Sequence, residues 1–247
     1  TADSWPEAGW LAFPFDVQNP QFKLGRLGAV IDPTKDIIKG SNVDYYLINN
    51  GVAIHNSEGN GFAISTPDAP GISLDRPGLY RYSQDFTPKQ PAVFVNLFNN
   101  QWSTNFTEWI EGSWSAKMCL WGFQKYNNES SLITPNEEFR SPLKSVLISV
   151  DGGSLPPSQT GVRLSRKGVL ISAFAPNPFG DGTLLRLWEQ SGDSGSCKVT
   201  LPQGIVFSTA VPVNLRGEKE GREVPLTRNS FTVDLAAYQP ASFLLLR

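Results

Sequence analysis

Apolar residues recur along this chain with a period of two, or in short runs, between closely spaced breakers. Val93, Val95 and Leu97 interleave with Phe94, Asn96 and Phe98. Trp114, Ala116, Met118 and Leu120 alternate with Ser115, Lys117, Cys119 and Trp121. Val146, Ile148 and Val150 read as a strand that Gly152-Gly153 ends. Further strands are predicted at 168–175, 183–189, 197–201, 205–213, 230–234 and 242–246. A period of two places alternate side chains on opposite faces of an extended chain, which is the signal of a half-buried strand. No stretch of twelve residues or more carries a helical period, and only 105–111 suggests a helical turn. The 22 glycines and 19 prolines are spread as punctuation rather than gathered in a linker. Short strands between regular turn signals predict an all-β chain of sandwich architecture.

A chain of 247 residues is near the upper end of what one hydrophobic core organises. Six of the seven tryptophans, all but Trp188, fall before residue 150, and the later part is a run of shorter strands with Ser/Gly/Pro turns. Asp151–Thr160 (DGGSLPPSQT) is the most linker-like stretch. The expected division is a larger β unit at 1–155 and a smaller β sandwich at 156–247. No internal repeat or low-complexity tract is evident.

Composition narrows the partners. Hydrophobic residues make up 40% and charged residues 18%, the balance of a folded globular chain rather than a disordered one. The formal net charge is -2, so the chain lacks the electrostatic footprint of a nucleic-acid or anionic-membrane binder. No apolar run reaches the roughly 20 residues that span a bilayer as a helix. The chain opens on Thr1 rather than Met, which suggests a processing boundary and leaves the compartment open. The single histidine, His55, excludes a multi-histidine metal centre within these residues, and any serine triad would have to use it. His55 itself reads as a loop or strand-end residue. Cys119 and Cys197 are far apart without CxxC spacing, and can form one disulfide or remain two buried thiols.

The densest polar and aromatic cluster is Asn96–Phe106 (NLFNNQWSTNF). Asn99, Asn100 and Asn105 supply amide donors and acceptors, and Trp102, Phe106 and Trp109 supply flat apolar faces. Sugars ask for this pairing, because hydroxyl groups take amide hydrogen bonds while the C–H face of the ring stacks on an aromatic. The alternative is that these asparagines cap turns and the aromatics fill the core. Glu108 and Glu111 form a carboxylate pair three residues apart, which could do acid/base work on a glycosidic bond or be two solvated acids. Arg26 could clamp a carboxylate or sugar hydroxyl, or form a surface ion pair. Gly25-Arg26-Leu27-Gly28 lacks the helix and spacing of a dinucleotide fingerprint. Asn105-Phe-Thr107 and Asn128-Glu-Ser130 are glycosylation sequons, relevant only in a glycosylating secretory route.

Six segments in order resemble the C-terminal β region of family 38 glycoside hydrolases, the retaining α-mannosidases and their bacterial relatives. They are Ala12-Phe-Pro-Phe15, Leu27–Pro33 with Lys35-Asp36 and Gly40, Ile64–Pro70 (ISTPDAP), Asn99–Phe106 (NNQWSTNF), Leu184–Glu189 (LLRLWE) and Tyr238–Leu245. The resemblance implies a large β supersandwich followed by a smaller β sandwich. It implies that the nucleophile and the zinc ligands of such an enzyme sit on an N-terminal catalytic barrel that this chain does not contain, so that the chain itself carries no cofactor and no turnover. The partners implied are that barrel and an α-mannoside-like glycan. Carried over by motif, the residues expected to face the sugar pocket are Asn99, Asn100, Trp102, Thr104, Asn105 and Asp68, with Arg26 as the candidate sugar-contacting arginine. The leading expectation is a non-catalytic region that completes a substrate cleft. The alternatives are a free-standing carbohydrate-binding module, a complete hydrolase built on Glu108 and Glu111, and a purely structural domain.

Overall fold

A computed structural model describes residues 7–79, 81–100, 111–147 and 156–247. It is almost wholly antiparallel β, as the alternation predicts, and divides into two compact units, Thr1–Ser141 and Pro142–Arg247.

The strands of the first unit are β1 (Ala8–Pro14), β2 (Gln21–Arg26), β3 (Ala29–Ile31), β4 (Tyr46–Leu47), β5 (Val52–His55), β6 (Gly61–Ser65), β7 (Gly71–Leu74), β8 (Ala92–Asn99) and β9 (Cys119–Phe123). They form a four-stranded sheet in the order β1-β8-β7-β4 and a five-stranded sheet in the order β3-β2-β5-β6-β9. Phe22, Leu24, Val52, Ile54 and Ile64 of the larger sheet meet Tyr46, Ile72, Leu74, Val93 and Val95 of the smaller in one core. The other face of the five-stranded sheet is also covered. A π-type helical segment, Asn128–Ile133, runs into helix α1 (Thr134–Arg140) and sets Leu132 and Ile133 against Val30, Ala53 and Ala63. Its start is capped by Asn127, whose side chain accepts from the N–H groups of Glu129 and Ser130. Because β5 is buried on both faces, it reads as a continuous run, Val-Ala-Ile-His, instead of alternating.

The second unit has β10 (Arg163–Leu164), β11 (Val169–Pro176), β12 (Thr183–Glu189), β13 (Gly195–Thr200), β14 (Thr209–Val213), β15 (Val224–Pro225), β16 (Ser230–Leu235) and β17 (Pro240–Leu246). A three-stranded sheet, β10-β13-β16, and a five-stranded sheet, β11-β12-β17-β14-β15, enclose Leu185, Leu187, Cys197, Val199, Phe231, Phe243 and Leu245. Its main polar anchor is Glu189, whose side chain is fully buried. One carboxylate oxygen accepts from the N–H and hydroxyl of Ser191 and the other from the N–H groups of Gly192 and Tyr238, at 2.9 and 2.8 Å. Arg166 lies 3.5 Å away. Burial alone would raise the Glu189 pKa, but these donors together hold it below its ordinary value. Two of the resemblance segments, LLRLWE and the one opening at Tyr238, meet at this carboxylate.

Three expectations change. The segment 114–121 is a strand only from Cys119, because the N–H of Lys117 is taken by the Asp68 carboxylate at 2.8 Å rather than by a ladder. The strand expected at 205–213 begins at Thr209. Residues 142–147 form no strand, and Leu143, Val146 and Leu147 stand fully exposed; 148–150 lie outside the described residues. The helical segment at 128–140 was not expected from the sequence; the helical turn expected near 105–111 lies, but for residue 111, outside the described residues. Both cysteines are free thiols, Cys197 buried and Cys119 half-buried. No described helix is long and apolar enough to cross a membrane.

Candidate functional site

The connections fix which residues share an end of the first sandwich. The chain passes from the smaller to the larger sheet through Phe15–Pro20, and back through Thr66–Pro70. These crossings lie at opposite ends, because β2 and β6 run between them: Gln21 pairs with His55 and His55 with Gly61, whereas Leu24 pairs with Val52 and Val52 with Ile64. Asp68 is in the second crossing. Arg26 ends β2 at that end, and Asn99 ends β8 opposite Ala8, at the far end of β1 from the first crossing. The fold therefore brings Arg26, Asp68, Asn99 and Asn100 to one end of the unit. Trp102, Thr104 and Asn105 lie outside the described residues, as do Phe106, Glu108 and Trp109.

Local chemistry explains each position. Asp68 is exposed and caps the Lys117 N–H. The turn around it is closed by Ala69 N–H donating to the Thr66 carbonyl at 3.1 Å. Asn100 extends the β1–β8 ladder: its N–H donates to the Glu7 carbonyl, and its side-chain oxygen accepts from the Glu7 N–H. Asn99 is half-buried, and its side-chain oxygen is buried without a partner among the described residues. Arg26 closes a two-residue hairpin whose Leu27 and Gly28 have φ of 54° and 74°, the left-handed pair that such turns require. So Gly25–Gly28 is a hairpin turn. The Arg26 charge acts on the buried Tyr46, whose phenol burial pushes up to about 12, with Asp44 adding to the rise and Arg26 opposing it. Tyr46 donates to the Val43 carbonyl at 2.8 Å.

Two aromatics at this end were read only as strand residues. Phe98 and Trp114 form an edge-on pair with centroids 6.0 Å apart, and Trp114 is 60% exposed. An exposed tryptophan beside amides and a carboxylate is an apolar face with hydrogen-bonding groups around it. Its signal in the sequence was the turn-rich Glu111–Ser115 stretch, which argues against a buried strand. Asn96, also within the polar cluster, is structural: its amide donates to the carbonyls of Gly9 and Phe98 and holds a bulge in β8, where Leu97 is the extra residue.

The Leu27–Asp36 segment folds into a polar knot. Asp32 accepts from the N–H and hydroxyl of Thr34 and sits 3.3 Å from both Lys23 and Lys35, while Asp36 accepts from the Asp32 N–H. Burial opposes ionisation of Asp32, but Thr34 and Lys23 outweigh it and keep its pKa low. These acids serve the turn. His55 ends β5, buried, with its Nδ1–H donating to the Asn56 carbonyl at 2.9 Å and its ring stacked on Tyr126 at 4.5 Å. Among the described residues, no three His, Cys, Asp or Glu side chains come together as metal ligands.

Residues 168–243 match the family model described as the glycosyl hydrolases family 38 C-terminal beta sandwich domain. No curated protein matches the sequence. By structure, 96% of the chain superposes on a glycosyl hydrolase family 38 protein from Enterococcus faecalis, with a TM-score of 0.68 at 10% identity. It superposes equally fully on an alpha-mannosidase from Enterococcus faecalis V583, with a TM-score of 0.63 at 10% identity. The chain covers 26% and 25% of those two proteins, about a quarter of their length. At that identity the likeness is one of fold.

Proposed function

We propose, from a chain whose residues 168–243 carry the family 38 C-terminal β sandwich, that the 247 residues serve as the non-catalytic β region of an α-mannosidase-like glycoside hydrolase. The match of that segment carries the reading, and the fold likeness over 96% of the chain supports it. In this role the first unit offers one sandwich end to the glycan. Trp114 presents a ring face, Asn99 and Asn100 present amides, and Asp68 and Arg26 add a carboxylate and a guanidinium. Retaining hydrolysis needs two carboxyl groups about 5 Å apart, one as nucleophile and one as acid/base. Those groups belong to a catalytic barrel in this reading, as does any zinc, while the present residues bind and orient sugar hydroxyls. The chain by itself should therefore release no mannose from an aryl α-mannoside. Turnover by the purified chain, abolished by Glu108→Gln with Glu111→Gln, would overturn the reading in favour of a complete hydrolase.

A further inference from the structure

A second site lies at the opposite end of the first sandwich. There the first crossing, the β5–β6 turn and the end of β9 line an open, shallow cleft of about 870 Å³. That volume falls within the range of small-ligand sites. Its floor is Phe62, 37% exposed, with its ring stacked on Phe15 at 5.1 Å and 13°. The cross-strand partner of Phe62 is Gly122 on the edge strand β9. A β-carbon at Gly122 would rest 3.7 Å from the Phe62 ring, so the glycine is what leaves this ring uncovered on its own sheet.

Around the ring stand four amides, Gln18, Asn56, Asn60 and Gln124, and one ionisable residue, Asp16. The rim is held in advance. Asn56 Oδ1 accepts from the N–H groups of Glu58 and Asn60, which fixes the amide plane and leaves its NH₂ as a donor. Gln18 donates to Asp16 at 3.2 Å. Gly59, at φ of 83°, packs so closely on Tyr126 that a β-carbon there would lie 2.6 Å from the Tyr126 nitrogen. A rim already ordered lowers the entropic cost of binding.

We infer that this cleft is a second carbohydrate site, taking a neutral hexopyranose unit of a glycan with its C–H face on Phe62 and its hydroxyls on the surrounding amides and Asp16. The uncovered ring supplies the apolar platform, and the amides supply donors and acceptors in the alternation that ring hydroxyls present. A single carboxylate among the lining residues disfavours uronic or sialic acids. The site is separate from the end that holds Arg26, Asp68, Asn99 and Asn100, and it does not depend on the hydrolase reading.

The test is saturation-transfer NMR and titration calorimetry on the 247-residue chain, using mannotriose and diacetylchitobiose as neutral probes and a trigalacturonate as the charged one. Binding of at least one neutral probe and none of the charged one is expected. Gly122→Val should weaken that binding at least tenfold without lowering the melting temperature, since valine suits an exposed strand position. Phe62→Ala should weaken it as well, with a lower melting temperature because the stack on Phe15 is lost. Binding unchanged in both variants would overturn the inference, as would binding by neither neutral probe. Binding lost in Trp114→Ala and kept in Gly122→Val would also overturn it, and would place the sugar at the other end instead.

Discussion

The two units solve one problem in different ways. Each packs a five-stranded sheet on a smaller one, and each must close the outer face of its larger sheet. In the first unit the helical segment 128–140 does this. Ala53 and Ala63 are small enough to let Leu132 and Ile133 approach, and Ser65 donates to Asn136 beneath the helix at 2.5 Å. In the second unit that face carries its own apolar cluster of Leu184, Val211, Val213, Leu244 and Leu246. Order there rests on one buried carboxylate, Glu189, which ties the end of β12 to the turns at Ser191 and Tyr238. The first unit covers that face with a helical second layer, and has a buried carboxylate of its own, Asp44, held by Arg76 and the Ser83 N–H; the second unit has no such layer among the described residues, and its buried charge ties the strand end to two turns.

The difference can be broken at its strongest point. Glu189→Ala leaves three backbone N–H groups and Arg166 facing a void, and removing one partner of a buried charge typically costs about 3–5 kcal/mol. Urea unfolding followed through the Trp188 indole, which donates to the Tyr238 carbonyl, should register that loss in the second unit. Leu132→Ala should cost about 3 kcal/mol by the cavity it leaves. It should register at Trp121, whose indole donates to the Ser131 carbonyl in the same layer.

Acid should separate the units next. Burial holds His55 below its ordinary pKa of 6.5; the Asn56 carbonyl and Asp32 oppose that shift, and Lys23 adds to it. The unfolded chain then takes up a proton before the folded one, so stability in the first unit falls as pH drops below 6.5. Glu189 is held below 4.5, so its contribution in the second unit is present above that value and is lost only as pH falls through its lower folded pKa. Between pH 6.5 and 5 the Trp121 transition should move while the Trp188 transition stays, and His55→Phe should abolish the movement. The smallest effect is at Asn127: Asn127→Ala removes a helix cap worth about 1 kcal/mol, read at Trp121 alone.

How much was legible follows the same contrast. β8 and β12 announce themselves, the first by alternation and the second by an apolar run ending at Glu189. β5 and β6 were not singled out, because burial on both faces removes the alternation that marks a strand. The helical segment was missed because it is short and opens in a π-type turn, so no 3.6-residue period develops. At the candidate site, Asp68 was named through motif resemblance and Arg26 first through its own chemistry, and each also has a local reason to be where it is. Trp114 was hidden by an alternation that continues past the true start of β9. The Phe62 cleft gave no signal at all, since a glycine opposite a phenylalanine has meaning only once the register is known.

The most direct test of the central claim is steady-state kinetics on an aryl α-mannoside with a polypeptide that carries this region together with a catalytic barrel. Arg26→Ala and Trp114→Ala are the variants to compare, since neither side chain makes a hydrogen bond or ion pair among the described residues. If this β region completes the substrate cleft, each should lower kcat/KM about tenfold or more while the melting temperature stays within a degree or two. Full activity in both variants would contradict the claim and leave the region as a structural support.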